Sequence, residues 1–296
     1  MKKSLVVVRA GSNSLHHRWQ EIPYEDRAYD LLISYFSDEA FAGFEPEPGV
    51  EAVLVKGGKW DGLYKTLTDR DLDQYDYYWL PDDDLDIRAE DVNALFDAMQ
   101  VYGLRIAQPS LTPESYFSHF VFSQCPGFVL RYTNYIEIMA PCLHQDILRK
   151  ALPLFQGTMS GYGLDYIWCR WAEAGAFRTA ILDEIAMHHT RPIGKNLKAA
   201  MAASDNLSSE EEEAVLKEMF DLSQRTVPVV FAAILRGGQP ISGRLPVGWR
   251  MCRAWMSVLP KFRSASEARS GIFKIARRQL IKRLDMTTIS LKRESA

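Results

Sequence analysis

Cysteine is scarce in this chain: only Cys125, Cys142, Cys169 and Cys252 occur among 296 residues, and none has the spacing of a metal-ligating pair. That excludes a disulfide-stapled scaffold and is the pattern of reduced, structural thiols in a cytosol. Long apolar runs are missing too. Val227 to Leu235 spans nine residues including Pro228, well short of a bilayer-crossing helix. The run from Leu5 to Val8 stops at Arg9, too short for the hydrophobic region of a signal peptide, so a cytoplasmic protein is expected. Ser118, His119 and Ser123 lie close in sequence but lack the nucleophile-elbow pattern of a serine hydrolase. There is no internal repeat and no nucleic-acid recognition motif.

What is present is an ordinary globular composition, 47% apolar and 25% charged, with a net charge of −3 that conceals an asymmetry. From Arg236 onward there are fourteen Lys/Arg against three Asp/Glu, which leaves 21 against 35 for residues 1–235. The chain therefore reads as an acidic body, 1–235, and a basic extension, 236–296. The acidic body would repel a polyanion, which argues against nucleic acid as a partner. In the extension Ile272, Ile275, Ala276, Leu280 and Leu284 fall near helical spacing, with Lys274, Arg277, Arg278, Lys282 and Arg283 between them, and Trp249, Trp255, Phe262 and Phe273 add aromatic surface. Such a helix suits either the anionic inner face of a cell membrane or docking onto the acidic body.

Apolar runs at Ser4–Val8, Tyr29–Tyr35, Val50–Val55, Tyr75–Leu80 and Leu104–Gln108 alternate with loops or helical patterns, of which Ala89–Tyr102 is the clearest. Runs that are apolar throughout indicate an α/β fold with a mostly parallel central sheet and helices on both faces. Ligands of such sheets sit beyond the carboxyl ends of the strands. Arg9, Asn13, Asp38, Lys56, Lys59 and the triplet Asp82-Asp83-Asp84 all follow predicted strands and would gather along that edge. Residues i and i+2 of an extended segment share a side, so Asp82 and Asp84 can aim at one point while Asp83 turns away. Crowded carboxylates at a strand end suit Mg²⁺ or Mn²⁺, and with it a diphosphate.

Trp79-Leu80-Pro81-Asp82-Asp83-Asp84, Arg131 to Pro141 (Arg-Tyr-Thr-Asn-Tyr-Ile-Glu-Ile-Met-Ala-Pro), Gly163-Leu164-Asp165 and His189-Thr190-Arg191-Pro192-Ile193-Gly194 resemble metal-dependent glycosyltransferases of the GT-A fold. More narrowly they resemble a bacterial and plant family of domains of unknown function, over roughly residues 4–195. The resemblance implies a GT-A-like domain that moves a sugar from a nucleotide-sugar donor to a glycan or lipid-linked glycan acceptor, in the manner of surface-polysaccharide synthesis. It assigns Asp84, Asp82 and His189 to the metal, with His189 preferred over His188 because strand neighbours face opposite ways. Arg9, Asn13, Asp38, Lys56, Lys59, Asp82, Asp83 and Arg191 form the donor-binding set, with Lys56, Lys59 and Arg191 near the leaving group's charge. Asp165, heading a predicted helix after the Ser160–Gly163 loop, is the expected general base and favours an inverting reaction; Glu137, in an apolar setting, is the second candidate. Of Tyr116, Phe117, Tyr132, Tyr135, Tyr162 and Trp168, some are expected to line the acceptor side and the others to be core. The Glu-rich helix from Ser208 to Leu222 reads as a solvated face. Two other classes use the same carboxylates: a metal-dependent phosphoesterase or nucleotidyltransferase, which needs more converging ligands than can be assigned, and a noncatalytic carbohydrate-binding module.

Overall fold

The computed structural model describes residues 2–172, 177–193 and 207–290; Gly194 of the histidine motif and the last six residues of the extension lie outside them. Among the described residues eleven strands form one sheet: β1 (Ser4–Ala10), β2 (Tyr29–Tyr35), β3 (Val50–Leu54), β4 (Tyr77–Trp79), β5 (Leu85–Asp86), β6 (Ile106–Leu111), β7 (Phe128–Thr133), β8 (Cys142–His144), β9 (Thr179–His189), β10 (Val230–Leu235) and β11 (Pro240–Ser242). Their order is β11-β10-β7-β9-β6-β8-β4-β1-β2-β3, with β5 paired to the far end of β9. The pairings make β1, β2, β3, β4, β6, β9 and β10 run one way, and β5, β7, β8 and β11 the other. This is the mostly parallel α/β architecture expected of a GT-A-like chain.

The helices are α1 (Asp38–Ala42), α2 (Lys59–Leu67), α3 (Ala89–Val101), α4 (Gln145–Ala151), α5 (Leu164–Trp171), α6 (Ser209–Met219), α7 (Arg244–Ser257) and α8 (Ala265–Ile281). Both faces of the sheet are covered. Arg9 on β1 packs against Gly62 of α2, whereas Tyr29, level with Ser4 of β1, stacks on Phe96 of α3 with ring centroids 5.8 Å apart. Positions 4 and 9 of one strand have opposite parity and so point to opposite sides. Double coverage explains why β1 is buried at every position.

The basic extension begins inside the sheet, where β10 pairs with β7 and turns back into β11. Its helices then bury Val247, Met251 and Trp255 of α7 and Ala268, Ile272 and Ile275 of α8. Gln279 of α8 fastens the join, donating to the Val230 and Arg244 carbonyls at 2.6 and 3.0 Å and accepting from the Val230 amide at 3.0 Å. Ile272 and Ile275, the centre of the stripe considered for membrane contact, are therefore core residues.

Candidate functional site

The C-terminal edge of the sheet brings together β4, β6, the end of β9 and the head of α5. Asp84 follows β4 and is 8% exposed; its Oδ2 lies 3.3 Å from His189 Nε2, while its Oδ1 is buried without a partner. His189 ends β9 and holds one orientation. Its Nδ1 is 3.0 Å from the Tyr116 carbonyl, and its backbone amide donates to Ser115 Oγ at 3.1 Å. With Nδ1–H given to a carbonyl, Nε2 is the nitrogen turned to Asp84: it donates to Oδ2 when protonated and offers a lone pair when neutral. Burial disfavours the charged ring, but the Asp84 carboxylate outweighs it and raises the His189 pKa. His188 pairs with Asp86 in the β5 ladder.

Asp82, half-buried, turns to Lys59 at the start of α2, with 2.6 Å between Lys59 Nζ and Asp82 Oδ1. The ammonium also donates to the Ile138 and Met139 carbonyls at 2.9 and 3.0 Å, so its three N–H bonds are used. Asp82 and Asp84 still face the same region, since their charges act on each other and on His189. Among the described residues no group of three or more His, Cys, Asp or Glu is disposed to hold a metal ion. The shared focus expected for Asp82, Asp84 and His189 is reduced to Asp84 with His189.

Several donor-binding assignments change with the structure. Arg9 is 5% exposed, and its terminal nitrogens are committed to the Ser34 carbonyl and hydroxyl and to the Val55 and Gly57 carbonyls, at 2.7–3.2 Å. It has no terminal N–H left for a phosphate and instead ties β1 to the loop after β3; burial lowers its pKa to about 10. Asp83 accepts from the Gly11 amide at 3.2 Å and from Arg191 at 3.1 Å, and Arg191 also donates to the Asn13 carbonyl. These three residues latch the loop after β1 to the end of β9. Asp38 and Lys56 pair with each other in solvent, at 75% and 57% side-chain exposure.

Two further buried carboxyls belong to this cluster, Glu137 acting electrostatically on His189, Asp82 and Asp165. Glu137 is 4% exposed and meets Gln108 Nε2 at 3.4 Å; burial pushes its pKa up to about 8. Asp165, in the first turn of α5, accepts from the Tyr135 hydroxyl through Oδ2, while Oδ1 is buried and unpartnered. Burial lifts its pKa to about 7, against the opposing Tyr135 hydrogen bond. Tyr135 OH is also 3.2 Å from His119 Nε2. A phenol has one proton, and Tyr135 gives it to Asp165, so His119 must donate Nε2–H to the phenol oxygen. Burial drives the His119 pKa down to about 4, with Arg278 of α8 adding to the effect, so the ring is neutral at pH 7. The chain His119–Tyr135–Asp165 therefore fixes Asp165 Oδ2 and leaves Oδ1 buried without a partner. Sequence reasoning treated Tyr135 as a stacking ring and set His119 aside; its spacing of two from Glu137 was the available signal that both project the same way.

Trp168, also considered for stacking, is wholly buried and donates to the Ile136 carbonyl at 2.9 Å, so it is core. Helix α6 departs from expectation as well. Its N-cap is Ser208, which forms a capping box with Glu211, and Glu212 and Glu213 on its inner side are 5% and 3% exposed. Glu212 accepts from the Met159 and Ser160 amides at 2.7 and 2.9 Å and from the Ser160 hydroxyl, clamping the loop that leads to Asp165. That loop packs so closely that a Cβ on Gly161, at φ +72°, would lie 2.1 Å from Trp60 Nε1. Replacing Glu212 by Ala strands three donors and should cost about 2 kcal/mol in urea unfolding, with a parallel loss of turnover. Unchanged unfolding in Glu212→Ala would show that the clamp is dispensable.

A cavity of about 180 Å³ opens beside His189, lined by Ser115, Tyr116, Phe117, Ile193, Arg263 and Glu267. A larger one of about 370 Å³ lies at the opposite edge of the sheet, between the starts of β1, β2 and β3 and the Arg70–Tyr78 segment. Its polar lining is self-satisfied: Asp30 takes the Tyr24 and Tyr75 hydroxyls, each at 2.9 Å, and Arg70 takes Glu51. The smaller, chemically unsatisfied edge is the candidate site.

No known family model matches the chain, and no curated protein matches it. Among solved structures it is similar to S. aureus TarS 1-349 in complex with UDP-GlcNAc, at 10% identity and TM-score 0.44, covering 100% of this chain and 97% of that one. It is similar to S. aureus TarS 1-349 in complex with UDP at 11% identity and TM-score 0.41, with the same coverage. For S. aureus TarS the values are 10% and 0.40, covering 94% of this chain and 55% of that one.

Proposed function

We propose that the chain is a glycosyltransferase that uses a nucleotide-sugar donor and an acceptor hydroxyl, with Asp165 as general base. The observation that carries this reading is the buried, unpartnered Asp165 Oδ1, oriented by Tyr135 and lifted by burial to a pKa near neutrality. A base of that pKa, held within a protein wall, is suited to take a proton from a sugar hydroxyl as it attacks. Direct attack with a single base is the inverting course. Glu137, at about 8, is protonated at neutral pH and serves as a hydrogen-bond donor to donor or acceptor oxygens rather than as the base.

A divalent ion fits part of this site. Asp84 supplies an orphaned carboxylate oxygen, and His189 supplies an Nε2 whose tautomer is set from behind by Tyr116. These two would hold Mn²⁺ or Mg²⁺, and a bound ion of this kind stabilises negative charge on a leaving diphosphate. Asp82 is engaged by Lys59, whose ammonium brings a resident positive charge to the same edge. Arg191 acts at one remove, through the Asp83 latch.

Incubating the protein with a panel of nucleotide sugars and Mn²⁺ tests the reading. Release of nucleoside diphosphate is the expected outcome. Release of nucleoside monophosphate would replace it with phosphodiester cleavage, and binding without turnover would leave a carbohydrate-binding module.

A further inference from the structure

The outward surface of α7 and α8 is apolar in a pattern that the core does not use. On α7, Leu245, Trp249 and Met256 are 56%, 71% and 48% exposed, and with half-buried Cys252 they follow the i, i+4, i+7, i+11 spacing of one helical stripe. On α8, Phe273 and Leu280 are 69% and 64% exposed and share a stripe with half-buried Ala276. The two stripes adjoin. The helices meet where a Cβ on Gly248 would lie 3.1 Å from Gln279 Cγ and where Arg244 donates to the Lys282 carbonyl. One step round each helix from that seam, away from the sheet, lie Trp249 and Cys252 on one side and Ala276 and Leu280 on the other.

Exposed cations border the platform: Arg250 and Arg253 from α7, and Arg269, Lys274 and Arg277 from α8. Residues 236–290 carry twelve Lys/Arg against Glu267 and Asp285 alone. We infer that this two-helix face docks on an anionic lipid bilayer, with Trp249, Phe273 and Leu280 entering the interfacial layer and the surrounding cations meeting lipid phosphates. A second copy of the chain would set the same cations against each other. A nucleic acid would meet an apolar stripe with no polar side chains to read it. An anionic bilayer satisfies both the apolar and the basic parts.

The other edge of α8 carries Arg278 toward His119 and Tyr135. Arg278 lies about 200° round α8 from Leu280, so the Asp165 chain sits behind the helix from the docking face, and docking does not depend on the proposed glycosyl transfer.

Vesicle co-sedimentation of the full chain tests the inference without any activity readout. The protein should bind mixed phosphatidylcholine–phosphatidylglycerol vesicles, not phosphatidylcholine alone, and high salt should weaken binding. The triple variant Trp249→Ser, Phe273→Ser, Leu280→Ser changes only exposed positions and should bind about tenfold more weakly at unchanged melting temperature. Trp249→Phe should bind like the parent but lose the fluorescence blue shift on vesicle addition, which separates insertion from misfolding. Failure to bind anionic vesicles, undiminished binding of the triple variant, or a blue shift retained in Trp249→Phe would each overturn the inference. So would a vesicle-free dimer of the parent that the triple variant abolishes, which would make the occupant a second copy.

Discussion

Replacing Asp165 by Asn is expected to reduce glycosyl transfer by about a thousandfold, within the range lost when a general base is removed, while the protein stays folded. Asn keeps the shape and can accept the Tyr135 hydroxyl through its amide oxygen, so the local hydrogen bond survives. Stability follows from the sign of the pKa shift. Asp165 titrates near 7 in the fold and near 4 when unfolded, so the parent loses stability as pH rises between those values, whereas Asp165→Asn does not. The variant should therefore be at least as stable as the parent at pH 8. In the parent, kcat/KM should rise with pH through an apparent pKa near 7. Tyr135→Phe removes a hydrogen bond that favours the ionised carboxylate, so that limb should move to higher pH. A limb near 8, unmoved in Tyr135→Phe, would instead identify Glu137 as the base, and full turnover of Asp165→Asn would remove Asp165 from the chemistry.

The parts of this molecule that were legible in sequence are those fixed by neighbours along the chain. Strand β2 and helix α3 were found nearly to their ends, because an apolar run or a 3.6-residue stripe stops where polar residues begin. The parity argument that preferred His189 to His188 also needs only local geometry, and His189 is the one facing Asp84. Strand β8 was missed: three residues between β4 and β6, antiparallel to both, leave no periodicity to read. Strand β9 runs from Thr179 to His189 with a register shift against β6 at Pro109 and Ser110, an irregularity that no local pattern announces. Charged side chains were the hardest to place. Arg9 looked like a phosphate ligand and Glu212 like a solvated surface, yet each is buried by partners 25 to 53 residues away in sequence. Nothing local distinguishes a buried charge that anchors a loop from one that awaits a ligand.

The Arg131–Asp183 pair is the extreme of that class, and breaking it should cost the fold more than any other single change considered. Both residues are 0–1% exposed. Arg131 on β7 grips Asp183 on β9 through two bonds of 2.7 and 2.9 Å, and gives its remaining donors to the Val121 and Ser123 carbonyls at 2.7 and 3.1 Å and to Met251 Sδ at 3.8 Å. Asp183 also accepts the Cys125 amide at 2.8 Å, and the guanidinium lies 5.1 Å from the Trp255 ring centroid of α7. One pair thus joins two strands, the 121–125 turn and the basic extension. Arg131→Met leaves the Asp183 carboxylate buried with its main cation gone, and Asp183→Leu leaves a buried guanidinium; each should lose about 3–5 kcal/mol in urea unfolding. The double variant Arg131→Met, Asp183→Leu removes both charges and should recover much of that loss, giving a coupling well outside additivity. Recovery should be incomplete, because the Val121, Ser123 and Cys125 backbone groups stay buried without their partners. Additive losses in the double variant would mean that these backbone bonds, rather than the ion pair, hold this end of the sheet together.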